Sequence, residues 1–130
     1  MTLVIDALKN PGDLNSERLV LRVSESCNAG DYVVVRALED GGLPLSGPVD
    51  ALWIPDQDVE EGDIVIIYTK VGSKKNKKNS AGKVSYFYYW GKSHINWGRG
   101  YIPCLLYSPS FEYLDATKTR GGDDWEPDAE

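Results

Sequence analysis

The sequence has little cysteine or histidine and no long hydrophobic segment. Only Cys27 and Cys104 are present and no Asn-x-Ser/Thr acceptor occurs, so neither a disulfide framework nor secretion is indicated. We expect reduced thiols, with an intersheet disulfide as the alternative. His94 is the single histidine, which excludes histidine-clustered zinc sites and paired-histidine mechanisms. No stretch approaches the roughly 18 apolar residues of a membrane helix, and the first 12 residues do not resemble a signal peptide. These features predict a cytoplasmic protein that does not associate with membranes.

Charge is distributed unevenly along the chain. The net charge is −6, but six lysines and no acid lie between Lys70 and Lys83, whereas residues 121–130 carry five acids and no base. The composition therefore predicts one domain over residues 1–120, nearly neutral, followed by a flexible acidic tail over 121–130. The negative total disfavours nucleic acid as the main target.

Short runs rich in Val, Ile, Leu and Tyr recur, and each ends at Gly, Pro, Asn or Asp. This spacing predicts an all-β, immunoglobulin-like sandwich of about eight strands. Within 18–23 the apolar residues alternate with Arg18 and Arg22, as in a half-buried strand, and the wholly apolar run 64–68 is predicted to form the centre of the core. The predicted strands are 3–8, 18–24, 32–38, 49–54, 63–69, 84–90, 101–107 and 111–115.

Residues 71–83 are too polar and charged to bury, so they are predicted to form a mobile loop between two strands. The next strand is aromatic, and alternation places Tyr86, Tyr88 and Trp90 on one face, with Phe87 and Tyr89 on the other. These rings either fill the core and pair across the sheet, or form a stacking surface beside the lysine loop.

No motif indicates catalysis, a metal or a cofactor. The acids between Asp56 and Asp63 fail the spacing of a calcium loop and are explained by a solvated turn. Cys104 lies in an apolar run and Cys27 has no basic neighbour in sequence to lower its thiol pKa, which argues against a nucleophile. A small hydrolase or metal enzyme using the acids is the least favoured alternative.

The segment 53–69 resembles the lamin tail domain family, with an aromatic-x-Pro strand end, a turn closing on Gly-Asp and a hydrophobic strand. The flanking segments 17–21, 88–91 and 104–107 agree, so the chain looks like a divergent member over residues 3–117. The resemblance implies an immunoglobulin-like sandwich that acts as a binding or scaffolding module for protein or nucleic acid, with no catalytic residues.

The function predicted from sequence is therefore a non-enzymatic interaction module that binds a protein partner through its loops. The alternative is weak, salt-sensitive nucleic-acid binding through the lysine-rich segment and the aromatic strand. The candidate binding residues are Lys74, Lys75, Lys77, Lys78, Lys83, Tyr86, Tyr88, Trp97 and Arg99.

Overall fold

The computed structural model describes residues 1–117, except the side chains at positions 48 and 49, and the chain is all-β as predicted. The predicted acidic tail, 121–130, lies outside the described residues. One short 3-10 turn, Ala29–Asp31, interrupts the strands. The strands are β1 (Leu3–Lys9), β2 (Arg18–Val23), β3 (Cys27–Asn28), β4 (Tyr32–Asp40), β5 (Leu43–Trp53), β6 (Asp58–Val59), β7 (Ile64–Tyr68), β8 (Lys75–Lys78), β9 (Val84–Tyr89) and β10 (Tyr101–Tyr107).

The strands form three sheets. The largest has five strands in the order β1-β2-β7-β9-β8, in which only β7 and β9 are parallel. The second is antiparallel with the order β10-β4-β5, and β3 pairs with β6 in a small third sheet. The run 64–68, predicted to form the centre of the core, is the middle strand of the five-stranded sheet, and its Val65 and Ile67 are buried.

One hydrophobic core joins the two larger sheets. Along β2 the alternating Leu19, Leu21 and Val23 are buried, as the sequence pattern predicts, and Val65 and Ile67 of β7 lie beside them. Tyr32 and Val34 of β4 belong to the same cluster. The outward residues of β7, such as Ile66, are only half-buried, so the inner face of this strand provides most of its core contacts.

A buried polar network fixes the connection between β9 and β10 to the start of β2. The Glu17 carboxylate is fully buried and accepts hydrogen bonds from the Gly12 backbone N–H, the Thr69 hydroxyl and the Asn96 backbone N–H. The Asn96 carbonyl in turn accepts from the Arg36 guanidinium at 2.7 Å. The network therefore links both larger sheets.

Two strand predictions are wrong. Residues 111–115 form no strand, and Phe111, Tyr113 and Leu114 remain exposed because no neighbouring strand pairs with them. The predicted mobile loop over 71–83 instead contains β8, which pairs with β9 from Lys75 opposite Phe87 to Lys78 opposite Val84. The short strands β3 and β6 are too brief to produce a sequence pattern. None of the helices in the described part of the chain combines the length and apolar character needed to span a membrane.

Candidate binding surface on the five-stranded sheet

Strand β8 forms one edge of the five-stranded sheet and divides its lysines between two faces. Lys75 and Lys77 lie opposite Phe87 and Ser85 of β9, so their side chains share the outer face of the sheet with Phe87. Lys78 points to the other face, because successive strand residues alternate. An isolated run of lysines has little tendency to form a strand, but pairing with β9 satisfies its backbone, and the lysine stems can cover apolar neighbours.

Three aromatic rings occupy the outer face beside these lysines. Tyr68 of β7 lies opposite Tyr89 of the parallel strand β9, and the two rings stack with centroids 5.3 Å apart and planes 12° from parallel. Phe87 lies two residues before Tyr89 on the same face. All three side chains are half-buried. The three rings therefore lie on the outer face as a half-buried aromatic patch, called the platform below, and not in the core.

Cations surround this platform. The Lys75 ammonium lies 5.6 Å from the centroid of the Phe87 ring. The Lys70 ammonium and the Arg18 guanidinium lie 5.1 and 5.8 Å from the centroid of the Tyr68 ring. These distances fall within the range of cation-π attraction. We call this surface the aromatic-lysine face, formed by Arg18, Tyr68, Lys70, Lys75, Lys77, Phe87 and Tyr89.

A groove of about 360 Å³ runs along the aromatic-lysine face. Tyr68, Phe87 and Tyr89 line its floor, and β8 lines its edge through Lys75, Asn76 and Lys77. None of these lining residues is acidic. The groove can therefore accept a flat aromatic group that carries negative charge.

Gly72 holds the chain against the platform. A Cβ placed on this residue would lie 2.4 Å from Cδ2 of Tyr89, well inside van der Waals contact. Only glycine lets the segment between β7 and β8 pass so close to the Tyr89 ring. This close approach allows the following residues to reach the edge of the sheet, where β8 pairs with β9 beside Phe87.

Of the predicted aromatic site residues, the structure places Tyr88 and Trp97 in the core. Tyr88 is 6% exposed, and Trp97 is 4% exposed and packs edge-on against Trp90 at a centroid separation of 6.1 Å. Tyr86 is half-buried and packs against the same core. Of the two interpretations offered by alternation, core filling describes the face with Tyr88, and the half-buried rings of Phe87 and Tyr89 lie on the opposite face.

Burial also changes the acidity of the inward-facing tyrosines. Desolvation, followed by the nearby carboxylates of Asp63 and Glu60, raises the pKa of Tyr86 above its ordinary value. Desolvation, followed by the neighbouring Tyr86, raises the pKa of Tyr88 in the same way. Both hydroxyl groups thus stay neutral at physiological pH, and neither supplies charge to a ligand.

The remaining predicted lysines lie away from the platform. Lys74 borders a small groove with Gln57 and Tyr86, and Lys78 borders an acidic groove that contains Asp58. The Lys83 ammonium donates to the Glu61 carbonyl oxygen at 2.7 Å, which ties it to the turn before β7. Of the five predicted lysines, the structure thus brings only Lys75 and Lys77 together with the half-buried rings of the outer face.

Arg99 belongs to a different region of the molecule. It is exposed in the turn before β10, where the Tyr101 backbone N–H donates to the Gly98 carbonyl oxygen. The turn adjoins the three-stranded sheet, because the Glu39 backbone N–H donates to the Gly100 carbonyl oxygen. No local pattern in the sequence separates Arg99 from the lysine-rich strand.

The acidic segment after β5 contains a turn, as predicted. Contrary to the prediction that all of its acids are solvated, one of them is buried. Asp63 is 4% exposed and accepts hydrogen bonds from the backbone N–H groups of Glu60 and Val84, each at 2.9 Å. It therefore closes the turn and fixes the start of β9. Over residues 1–117, no three His, Cys, Asp or Glu side chains are arranged to hold a metal ion.

The two cysteines do not pair with each other in the structure. Cys27 lies in β3 and Cys104 in β10, and both side chains are half-buried. Cys104 lines an apolar groove with Val35 and Leu106 on the outer face of the three-stranded sheet. The alternative of an intersheet disulfide is therefore not adopted here.

The aromatic-lysine face includes residues that the sequence analysis missed, namely Arg18, Tyr68, Lys70, Phe87 and Tyr89. Alternation had already grouped Phe87 with Tyr89. The missing information was the pairing of β8 with β9, which shows that the lysines accompany this pair rather than Tyr86 and Tyr88.

Comparison with models of known protein families gives no match, and comparison with curated proteins gives no similar sequence. The resemblance to lamin tail domains therefore rests on the sequence segments alone.

Proposed function

We propose that this chain is a non-enzymatic binding module with an immunoglobulin-like sandwich fold, related to lamin tail domains, and that it binds single-stranded nucleic acid on its aromatic-lysine face. The observation that carries the proposal is the groove floored by Tyr68, Phe87 and Tyr89 and edged by Lys75 and Lys77. The shared core of the five- and three-stranded sheets supports the sandwich.

Single-stranded nucleic acid has the two chemical properties that this face accommodates. Its bases can stack on aromatic rings, which contributes about 1–3 kcal/mol per base with little dependence on sequence. Its phosphates are attracted by lysines that track the backbone. A duplex keeps its bases stacked on each other, so only its phosphates would interact with this face.

The negative net charge does not oppose this local attraction. Charges are screened over roughly 8 Å at physiological salt, so a ligand in the groove senses mainly the side chains that line it. Those side chains are basic, amide or aromatic, and Arg18 and Lys70 add positive charge at the Tyr68 end.

Lysines on an edge strand also have a purely structural use, since they prevent another sheet from pairing with the edge. That role requires charged side chains on β8, but it does not matter which face of the sheet they lie on. Nucleic-acid binding requires Lys75 and Lys77, which share the face of the rings, and not Lys74 and Lys78, which do not. The two explanations therefore make different predictions for two pairs of variants.

The test is fluorescence anisotropy of a labelled oligo(dT), an RNA of equal length and a DNA duplex, at about 50 and 200 mM salt. The variants are Lys75→Gln with Lys77→Gln and, as the matched control, Lys74→Gln with Lys78→Gln. Both pairs remove two positive charges from or beside the same strand. We expect single strands to bind more tightly than the duplex, and the first pair to weaken this binding more than the second.

Magnitudes make the comparison quantitative. If Lys75 and Lys77 each neutralise one phosphate, their loss reduces the slope of log affinity against log salt by about 1.4. Phe87→Leu should weaken binding through lost stacking, with the salt slope unchanged. No binding to single strands at the lower salt concentration, or equal effects of the two lysine pairs, would disprove the proposal.

A further inference from the structure

A second groove, of about 330 Å³, lies where β4 begins and where β5 and β10 end. Two large aromatic side chains form its corner. The rings of Trp53 and Phe111 have centroids 5.0 Å apart and planes 78° from parallel. The two side chains are nevertheless 53% and 63% exposed, so their contact leaves much of both rings uncovered.

The indole of Trp53 is held in place. Its Nε1–H donates to the Gly30 carbonyl oxygen at 2.7 Å. A Cβ on Gly30 would lie 2.2 Å from Oδ1 of Asp56, so only glycine lets residue 56 come this close. The Asn28 side chain accepts from the backbone N–H groups of Gly30 and Gln57, which fixes both sides of the groove. The groove is therefore formed before any ligand arrives.

Two acidic residues line the groove with these rings. Asp56 is exposed, and its Oδ1 accepts from the Asn28 amide at 3.2 Å. Asp31 is half-buried, and among residues 1–117 its carboxylate takes part in no hydrogen bond or ion pair. The other lining residues are Gly30, Ile54, Pro55 and Ser108, none of which is basic. The groove therefore combines aromatic faces with uncompensated negative charge.

We propose that this aromatic-acidic groove, formed by Asp31, Trp53, Asp56 and Phe111, binds an arginine side chain of a protein partner. A guanidinium is flat enough to stack on an indole or phenyl ring while its N–H groups donate to carboxylates at the edge of the ring. An ammonium group lacks this planar donor geometry, so lysine binds less tightly. A phosphate backbone is repelled by both acids. This inference concerns a protein ligand and a surface that shares no lining residue with the groove of the aromatic-lysine face.

The test uses the full chain, labelled with ¹⁵N, and three blocked pentapeptides with the sequences Gly-Ser-X-Ser-Gly. X is arginine, lysine or citrulline, and citrulline keeps the shape of arginine without its charge. The signals to follow are the Trp53 indole N–H and the backbone amides of Gly30, Asp31 and Ser108. We expect saturable shifts at these signals with arginine, weaker binding with lysine and no binding with citrulline.

Variants then assign the effect to the groove. Asp31→Asn should weaken binding of the arginine peptide about tenfold, the lower end of what a hydrogen bond to a charged group contributes. Asp6→Asn is the matched control, because it removes the same charge from an exposed position on β1. Phe111→Ala tests the aromatic wall, and its 63% exposure makes loss of the fold no concern.

Several outcomes would overturn the proposal. They are an absence of shifts up to the solubility limit of the arginine peptide, equal binding of arginine and citrulline, equal binding of arginine and lysine, and equal effects of Asp31→Asn and Asp6→Asn. Shifts of the same signals by oligo(dT) would also overturn it, because the groove would then accept nucleic acid. None of these results bears on the lysine-pair comparison, so the two proposals stand or fall separately.

Discussion

Replacing Glu17 by glutamine tests whether the buried network is an essential part of the fold. All three partners of this carboxylate are hydrogen-bond donors: the Gly12 N–H at Oε1, and the Thr69 hydroxyl and Asn96 N–H at Oε2. Glutamine keeps the shape of glutamate but changes one oxygen into an NH₂ group, which cannot accept. Whichever way the amide is oriented, its NH₂ group therefore faces at least one of these three hydrogen-bond donors.

The cost follows from the burial of the site, since Glu17 and Asn96 are 0% exposed and Thr69 is 1% exposed. In the less costly orientation, the partly buried hydrogen bond from the Gly12 N–H is lost. The Thr69 hydroxyl and the Asn96 N–H then donate to a neutral amide oxygen instead of a charged carboxylate. Taking about 1 kcal/mol for each of the three changes gives about 3 kcal/mol in total. A domain of this size has a free energy of unfolding of about 6–18 kcal/mol, so the loss is a substantial fraction.

Urea unfolding followed by circular dichroism measures this loss, with Glu25→Gln as the control because Glu25 is exposed. We expect the Glu17→Gln midpoint to fall by about 1–2 M, at an unchanged slope, and the control to shift by less than about 0.5 kcal/mol in free energy. Equal effects of the two substitutions would refute the idea that the network stabilises the fold. Glu17 and Thr69 also adjoin Arg18 and Tyr68, so a real loss should weaken binding of oligo(dT) as well.

Two further predictions concern the aromatic side chains. Gly72→Ala should destabilise the fold by about 1–3 kcal/mol and weaken oligo(dT) binding, because its methyl group would overlap the Tyr89 ring, and Ser73→Ala is the control for both assays. Burial raises the pKa of Tyr86 and of Tyr88 in the folded state above the value of about 10 in the unfolded chain. The contribution of the two neutral hydroxyl groups to stability is therefore complete below about pH 10, and it is lost as the pH rises through their folded-state pKa values. Ultraviolet titration should show a late phase of tyrosine ionisation that becomes smaller in Tyr86→Phe and in Tyr88→Phe, and a late phase unchanged by both substitutions would contradict this assignment.

The strand content could be predicted from sequence because the apolar patterns are strong. Seven predicted runs correspond to strands, and in β2 the burial of Leu19, Leu21 and Val23 follows the alternation directly. The run 111–115 has the same local composition but forms no strand, because composition alone does not supply a pairing partner. A β-strand is stabilised by neighbouring strands that are distant in sequence, so its local pattern is not enough to predict that it forms.

The candidate binding surface was harder to predict for the same reason. Local sequence gives the alternation of Tyr86 to Tyr89 but not which face meets the core, and Tyr88 proves to be the buried one. The polar segment containing Lys75 and Lys77 has no apolar period, so only its register with β9 shows that it is a strand. The groove beside Trp53 joins three segments far apart in sequence, and no short motif could reveal it.

The acidic residues near the C-terminus allow a last test of whether local or total charge governs nucleic-acid binding. Neutralising them in the full chain, by Asp→Asn and Glu→Gln, removes most of the net charge of −6. The positions changed are Asp123, Asp124, Glu126, Asp128 and Glu130.

If the residues lining the groove of the aromatic-lysine face govern binding, the affinity for oligo(dT) at about 200 mM salt should change less than twofold. At this salt concentration, charges are screened over roughly 7–8 Å. At about 10 mM salt, where screening extends to roughly 30 Å, the same variant should bind distinctly more tightly. Lys75→Gln with Lys77→Gln should weaken binding at both salt concentrations, since the proposed binding mode places these side chains against the phosphates. A tail variant that strengthened binding equally at low and high salt would show that the acids compete for the groove itself, which screening by salt does not explain.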